Sequence, residues 1–364
     1  MAARYSASLE GSYQAHPSHM AVTKPLNIND ADLSNGAIII ERPPSQPTDM
    51  SYFLQRLRLA EVCRSIIDRT PLASSTSTVP SYDDILAIDA EFDTFIKQIP
   101  PFLSMDSSGD NENNPTPLVD GADAHHHPPS LVVQAYMLNS LAHTQRCRLH
   151  LPYLTSSLTN STFAYSRRAC VDVVRKLIQI EKRLRRESHP FVLTRLRFDG
   201  LFLYGVFIAG VVLLMDACVH GGRTVSSLSE EEEEEETLRE SEVVEAFCML
   251  DDARGRSHTA DKLFESLLLV FRKYKVKPPF AREFFRDRGP GAAGEGKGMC
   301  GGAENEEQEV SFGEVGVEVV GRSDDVESSD LLGQGNRKST EGVDLFISEL
   351  GQMLEGWMDV DMLV

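Results

Sequence analysis

The sequence predicts an all-α fold, a multi-helix body with disordered loops and an acidic tail. Three observations predict it. Apolar residues recur at helical spacing in segment after segment. Capping residues and prolines stand where each period begins and ends. No stretch of comparable length alternates apolar and polar residues as a half-buried strand does.

The first helix is expected after Thr48 as a candidate cap, with Leu59, Val62, Cys63, Ile66 and Ile67 on one face and Pro71 beyond its end. The second begins at Ser81, with Asp84 three residues on in the capping pattern. Its face is Ile85, Ile88, Phe92, Phe95, Ile96 and Ile99, and Pro100 with Pro101 stops it. A third follows Pro128 and Pro129 and runs toward Pro152, with Leu131, Ala135, Leu138 and Ala142 in register. The fourth, over about 165–187, sets Cys170, Val173, Val174, Leu177, Ile178 and Leu184 against a face rich in Arg and Lys. A run without charge over 200–215 reads as a central helix, and two more helices are expected around 239–254 and 259–274.

Between these helices, 104–127 is rich in Asp, Asn, His and Pro, and 221–236 ends in seven consecutive glutamates. Neither carries enough apolar surface to offset the entropy of ordering a chain, so both read as disordered insertions. The layout that follows is an irregular lead over 1–22 and a helical domain over 23–277. A Gly-, Ser- and Glu-rich linker over 278–342 and an acidic amphipathic tail over 343–364 complete it.

Lys and Arg total 36 against 55 Asp and Glu, a formal net charge of -19 that repels a phosphate backbone. The charge is uneven: residues 167–197 hold ten basic and three acidic side chains, and residues 301–364 hold sixteen acidic and three basic. The six cysteines, Cys63, Cys147, Cys170, Cys218, Cys248 and Cys300, include no C-x-x-C pair, which excludes a zinc cage local in sequence and argues against a disulfide framework. Residues 1–18 show no basic region leading into an apolar one, so nuclear or cytosolic residence is expected. The 200–215 run is bracketed by Asp199 and Asp216 and falls short of the roughly 20 residues a bilayer span needs. A buried core helix is the expectation, and a helical membrane-associated protein anchored by 200–215 is the alternative.

Several stretches carry a family resemblance by their order and spacing. They are Pro25-Leu26-Asn27-Ile28-Asn29-Asp30, Met50-Ser51-Tyr52-Phe53-Leu54 leading to Arg58-Leu59-Ala60-Glu61, Pro100-Pro101-Phe102-Leu103, Leu151-Pro152-Tyr153-Leu154 and Tyr165-Ser166-Arg167-Arg168-Ala169-Cys170. Over about 25–276 the chain resembles the fungal-specific transcription factor domain, the helical region downstream of the zinc cluster in many fungal regulators. The resemblance implies an all-α regulatory domain in the nucleus, acting by contacts other than base readout and without catalytic residues. The family's six-cysteine binuclear zinc cluster has no counterpart in this sequence, and the chain is expected to correspond to the C-terminal part of the family domain. Direct DNA binding by this chain alone is therefore not expected. No cofactor is expected either, zinc entering only with an N-terminal cluster in a longer product.

Other motifs have bland readings. Gly289 to Gly294 fits G-x-G-x-x-G, but no strand-forming run precedes it and Gly298 stands where a P-loop needs Ser or Thr. His125, His126 and His127 sit in a Pro- and Asp-rich stretch without fixed geometry. His143, Cys147 and His150 fall at helical spacing, yet no second cluster completes a four-ligand site, and packing roles are expected for them. The basic face over 167–197 reads as the solvated side of an amphipathic helix with the acidic loops as its electrostatic partner. Asp83 with Asp84, and Asp251 with Asp252, read as charges at helix beginnings or on exposed turns. No G-x-S-x-G or H-E-x-x-H is present.

The tail combines five acids with ten large apolar residues, its valines apart. Phe346, Leu350, Leu354 and Trp357 are the candidate partner-binding residues, a helical face for a groove on the transcription machinery or a co-regulator. Homo- or hetero-dimerisation is a further expectation for the body.

Overall fold

The computed structural model describes residues 22–33, 40–69, 81–105, 128–154, 156–158, 160–187, 189–197, 199–220 and 230–274. Among the described residues there are eight α-helices and no strand. They are α1 Ser51–Arg69, α2 Tyr82–Lys97, α3 Pro129–Leu154, α4 Ala164–Arg186, α5 Pro190–Leu196, α6 Gly200–His220, α7 Glu230–Asp252 and α8 His258–Tyr274. The expected linker at 278–342, the tail at 343–364 and the lead at 1–21 lie outside the described residues, as do 106–127 and 221–229.

The signals at α2 act as read: the Ser81 side chain accepts from the Asp84 N–H, and Gln98 closes the helix by donating to carbonyls of its last turn. Its face of Ile85, Ile88, Phe92 and Phe95 packs with Leu59 and Cys63 of α1 onto Leu131, Ala135, Leu138 and Ala142 of α3. Each fully buried Phe, Ile or Leu of this kind stabilises the fold by about 1.5–3 kcal/mol. A second cluster joins the C-terminal half of α3 to α4, α6, α7 and α8, and a third seats α5 between α3, α4 and the start of α6.

α6 lies at the middle of the second cluster. Every residue from Leu201 to Asp216 is buried, with α4 and α7 as its principal neighbours and α3 and α8 beside them. The uncharged run thus meets protein on all sides, as expected of a core helix. Gly210 allows the close approach of α7, because a Cβ there would lie 2.9 Å from Cε1 of Phe247, itself buried. At Gly205 the nearest neighbour, Leu177, is an ordinary 3.7 Å away.

Several expectations are corrected. Residues 230–236, expected within a disordered insertion over 221–236, form the first turns of α7. Glutamate is a good helix former, and negative charge suits the positive end of the helix dipole. The insertion over 104–127 was drawn too early, since Met105 is buried against α3, α4, α5 and α6. Thr48 is not the cap of α1: it lies two residues before Met50, whose N–H its hydroxyl accepts. Asp251 and Asp252 close α7 rather than open a helix, where their charge opposes the dipole. Arg254 and Arg185 offset it, at 3.0 and 2.7 Å. The short helix α5 has no counterpart in the sequence reading. His189 caps it by accepting from the Phe191 N–H, and Pro190 occupies the first helical position.

Gly210→Val is expected to destabilise the protein by about 1–3 kcal/mol through overpacking against Phe247. Gly205→Ala, with room for its methyl and better helix propensity, is expected to match or exceed the parent by up to about 1 kcal/mol. Thermal unfolding followed by circular dichroism compares the two.

Candidate functional site, a buried polar centre and a paired basic face

The stretches that carry the family resemblance meet in polar contacts of the interior. Asn27 is buried, and its amide donates to the carbonyls of Arg42 and Pro43 at 3.1 Å each. Its Oδ1 accepts from the hydroxyls of Thr48 at 2.6 Å and Ser51 at 3.1 Å. Asn29 accepts from the Asp49 N–H, and Asp49 in turn accepts from the Asp30 N–H. Residues 27–30 are so tied to the N-terminus of α1. Leu103 has no exposed surface, and its carbonyl accepts from the buried Asn139 of α3 at 2.7 Å.

The largest such centre is built around Asp89 of α2. Its carboxylate accepts two bonds from Arg146, from Nε at 2.7 Å and Nη2 at 3.0 Å, one from the Tyr165 hydroxyl at 2.5 Å and one from Nε2 of His150 at 3.0 Å. Arg146 and His150 are one turn apart on α3, so a single helix face presents both. The far side of the imidazole, Nδ1, lies 3.0 Å from Ser166 Oγ, which is 3.1 Å from the Tyr82 hydroxyl. A carboxylate only accepts, so Nε2 carries a hydrogen toward Asp89 and a neutral His150 accepts from Ser166 at Nδ1, an assignment inferred from the network. Burial raises the Asp89 pKa. The hydrogen bonds from His150, Arg146 and Tyr165 and the Arg146 charge outweigh it and hold the carboxyl well below the usual carboxylate range.

Ser166, His150 and Asp89 stand in the order hydroxyl, imidazole, carboxylate of a nucleophilic triad. The surroundings give the arrangement another use. Ser166 and His150 have no exposed surface, the Tyr82 hydroxyl contacts Ser166, and a bidentate guanidinium already compensates Asp89. What results is a polar tie among α2, α3 and α4. Three thiols, of Cys63, Cys147 and Cys170, are similarly enclosed, whereas Cys248 is exposed: burial pushes Cys63 up to about 12, and Cys170 donates weakly to the Cys147 carbonyl at 3.9 Å.

The basic side of α4 is largely taken up by its neighbours. Arg175 pairs with Glu242 and Lys182 with Glu245 of α7, Arg167 with Asp216 of α6, and Arg183 donates to the Met105 carbonyl. Arg185 joins Glu181, Asp252 and the Met249 carbonyl. The acidic loops expected as partner of this face are replaced by helical acids, Glu242, Glu245 and Asp252 of α7 and Asp216 at the end of α6, because helix packing brings these within ion-pair distance. An open groove of about 550 Å³ lies between α1 and α2, but its polar lining is mutually bonded, Arg58 to Gln98 at 2.6 Å and Ser65 to Glu91 at 2.7 Å.

Of the residues singled out from the sequence, His143, Cys147 and His150 are all buried on α3, and His150 serves the Asp89 centre. Phe346, Leu350, Leu354 and Trp357 lie outside the described residues, as do His125 to His127 and the glycines from 289 to 294. Asp89, Arg146 and Ser166 were not anticipated. Each looks like an ordinary surface residue of an amphipathic helix until its separation of tens of residues from its partners is closed by folding.

The chain is 32% identical over 268 residues to the probable transcription factor lepB of Aspergillus flavus, a match over 74% of this chain and 44% of that protein. The chain is a relative of fungal transcription factors. It is 23% identical over 287 residues to the agnestins biosynthesis cluster transcription factor AgnL11 of Paecilomyces divaricatus, covering 78% of this chain and 38% of that protein. With the Zn(2)-C6 fungal-type transcription factor mpsB of Macrophomina phaseolina it shares 27% identity over 172 residues, 46% of this chain and 20% of that protein. The chain spans less than half the length of each of these relatives. No protein-family model and no solved structure matches it.

Asp89→Asn is expected to cost about 3 kcal/mol at neutral pH, because Arg146 loses its bidentate partner and keeps only Asp93, at 3.7 Å. The folded carboxyl titrates below its ordinary value near 4. Its contribution is complete above about pH 4 and fades as pH falls through the folded value, so the gap between parent and variant should narrow in acid. Urea unfolding at a series of pH values measures that gap.

Proposed function

We propose that this chain is a helical regulatory part of a fungal transcription factor, working in the nucleus through protein contacts and without catalysis of its own. The observation that carries the reading is its similarity, over three quarters of its length, to a protein named as a probable transcription factor. The interior adds support. Asn27, Asp89 and Asn139 use their polar groups to join distant segments, and Ser166, the hydroxyl nearest the His150 imidazole, has no exposed surface. The relative named for a biosynthesis cluster supports regulated genes of that kind.

In this reading the helical body mediates association, with itself or a related chain, and the acidic tail contacts the transcription machinery or a co-regulator. Phe346, Leu350, Leu354 and Trp357 fill the partner's groove, and the acids hasten encounter. Sequence-specific DNA readout is not assigned to this part, since the six cysteines here are dispersed, and the chain is either part of a longer product whose zinc cluster supplies that readout or a cluster-less relative. No cofactor is assigned to this part.

Residues 343–364 fused to a heterologous DNA-binding module are expected to activate a reporter, and Phe346→Ala with Trp357→Ala to abolish activation. A silent fusion removes the tail's assigned role. The membrane reading of 200–215 predicts that the chain stays with membranes after alkaline carbonate extraction. With 89% of the window Gly200–Ala217 buried in protein, release into the supernatant is expected.

A further inference from the structure

Although most of the basic side of α4 is paired, a line of it still faces solvent. Tyr165, Arg168, Asp172, Lys176, Gln179 and Arg186 are exposed, and their spacings of three, four and seven residues set them along one stripe of the helix. α5 begins four residues after Arg186 and adds the exposed Phe191, Arg195 and Arg197. Tyr165 and Phe191 expose 40% and 53% of their surfaces, so large aromatic surface accompanies the cations. This positive strip belongs to a chain of net charge -19. Sixteen of the acids lie in residues 301–364, against three basic residues there.

We propose that the acidic segment 343–364 of this same chain docks on the α4–α5 stripe, its carboxylates against Arg168, Arg186 and Arg195 and its apolar residues against Tyr165 and Phe191. The inference rests on the role given above to the tail and adds its regulation: while docked, the tail is withheld from other partners. Charge complementarity is the first argument. The length of the intervening chain is the second. Residues 275–342 separate α8 from the segment, and a coil of about 70 residues spans on the order of 45 Å, more than the roughly 35 Å of a helix as long as α4. Tethering keeps the local concentration of the tail high, so a weak contact suffices. A partner with higher affinity for the tail then competes directly with the stripe.

Trp357 is the chain's only tryptophan, so the full-length protein reports on the docked segment without a label. In the parent at low salt, Trp357 should emit toward the blue and resist quenching by acrylamide. In Arg168→Glu/Arg186→Glu/Arg195→Glu it should shift to the red and be quenched at least about threefold more readily. Neutralising the tail, Asp344→Asn/Glu349→Gln/Glu355→Gln/Asp359→Asn, should do the same, and circular dichroism of both variants should match the parent. Equal quenching in parent and stripe variant overturns the docking. So does a stripe variant that leaves Trp357 unchanged but loses nuclear entry or retention on DNA, because the stripe then serves that partner. The isolated-tail reporter fails or succeeds independently. A tail that activates but shows equal quenching keeps the regulatory reading and loses only this contact, whereas a silent tail with protected Trp357 does the reverse.

Discussion

The need to enclose α6 organises the rest of the molecule. Sixteen consecutive residues without a charge have no face to offer water, so the helix is stable only when surrounded. Four helices, α3, α4, α7 and α8, supply the enclosure. Glycine at 210 sets how closely α7 fits, Arg167 and Arg239 meet the charge at the end of the run, Asp216, and Asp199 at its start accepts from the Leu201 N–H. The amphipathic helices around it then divide their surfaces, apolar toward α6 and charged toward one another or solvent.

Enclosure creates a second demand, because helices packed on several sides bury polar groups as well. α3 illustrates it, with Asn139 and His150 buried beside its leucines. A buried polar group without a partner costs about 1–3 kcal/mol, so these positions are tolerable only as parts of connected networks. Asn27, Asn139 and Asp89 are the centres of such networks, and each joins segments far apart in the chain. The stretches that resemble the fungal regulators contribute to them: Asn27 and Asn29 in one, Ser51 in the same one, Leu103 in another, Tyr165 and Ser166 in the third. In this chain those stretches thus supply polar groups that tie distant segments together.

Much of the helical pattern was legible along the chain because a helix is a local structure. Ser81 with Asp84 marked α2, the proline pairs bounded α2 and α3, and the apolar faces of α1, α2 and α4 were read residue by residue before any contact was known. Legibility failed where local signals conflict or are short. Seven glutamates read as a solvated loop because composition alone does not distinguish an acidic helix start from an acidic coil. α5, at seven residues, is too short to show a period. The Asp89 centre was not legible as a unit: His150 stood out by its helical spacing from His143 and Cys147, but Asp89 lies 61 positions away and nothing local marks it as the partner.

By itself the sequence determined that the described body is helical and that the charge is divided into a basic stretch and an acidic end, since period, caps and composition are properties of neighbouring residues. Only the tertiary structure decided which charges are spent. Arg175, Lys182 and Arg185 are consumed by α7, whereas Arg168, Arg186 and Arg195 stay exposed, although all six are alike in the sequence. The physical reason is that an ion pair depends on a separation of a few ångströms between groups that the chain places some tens of residues apart. That distance is set by how helices pack around α6.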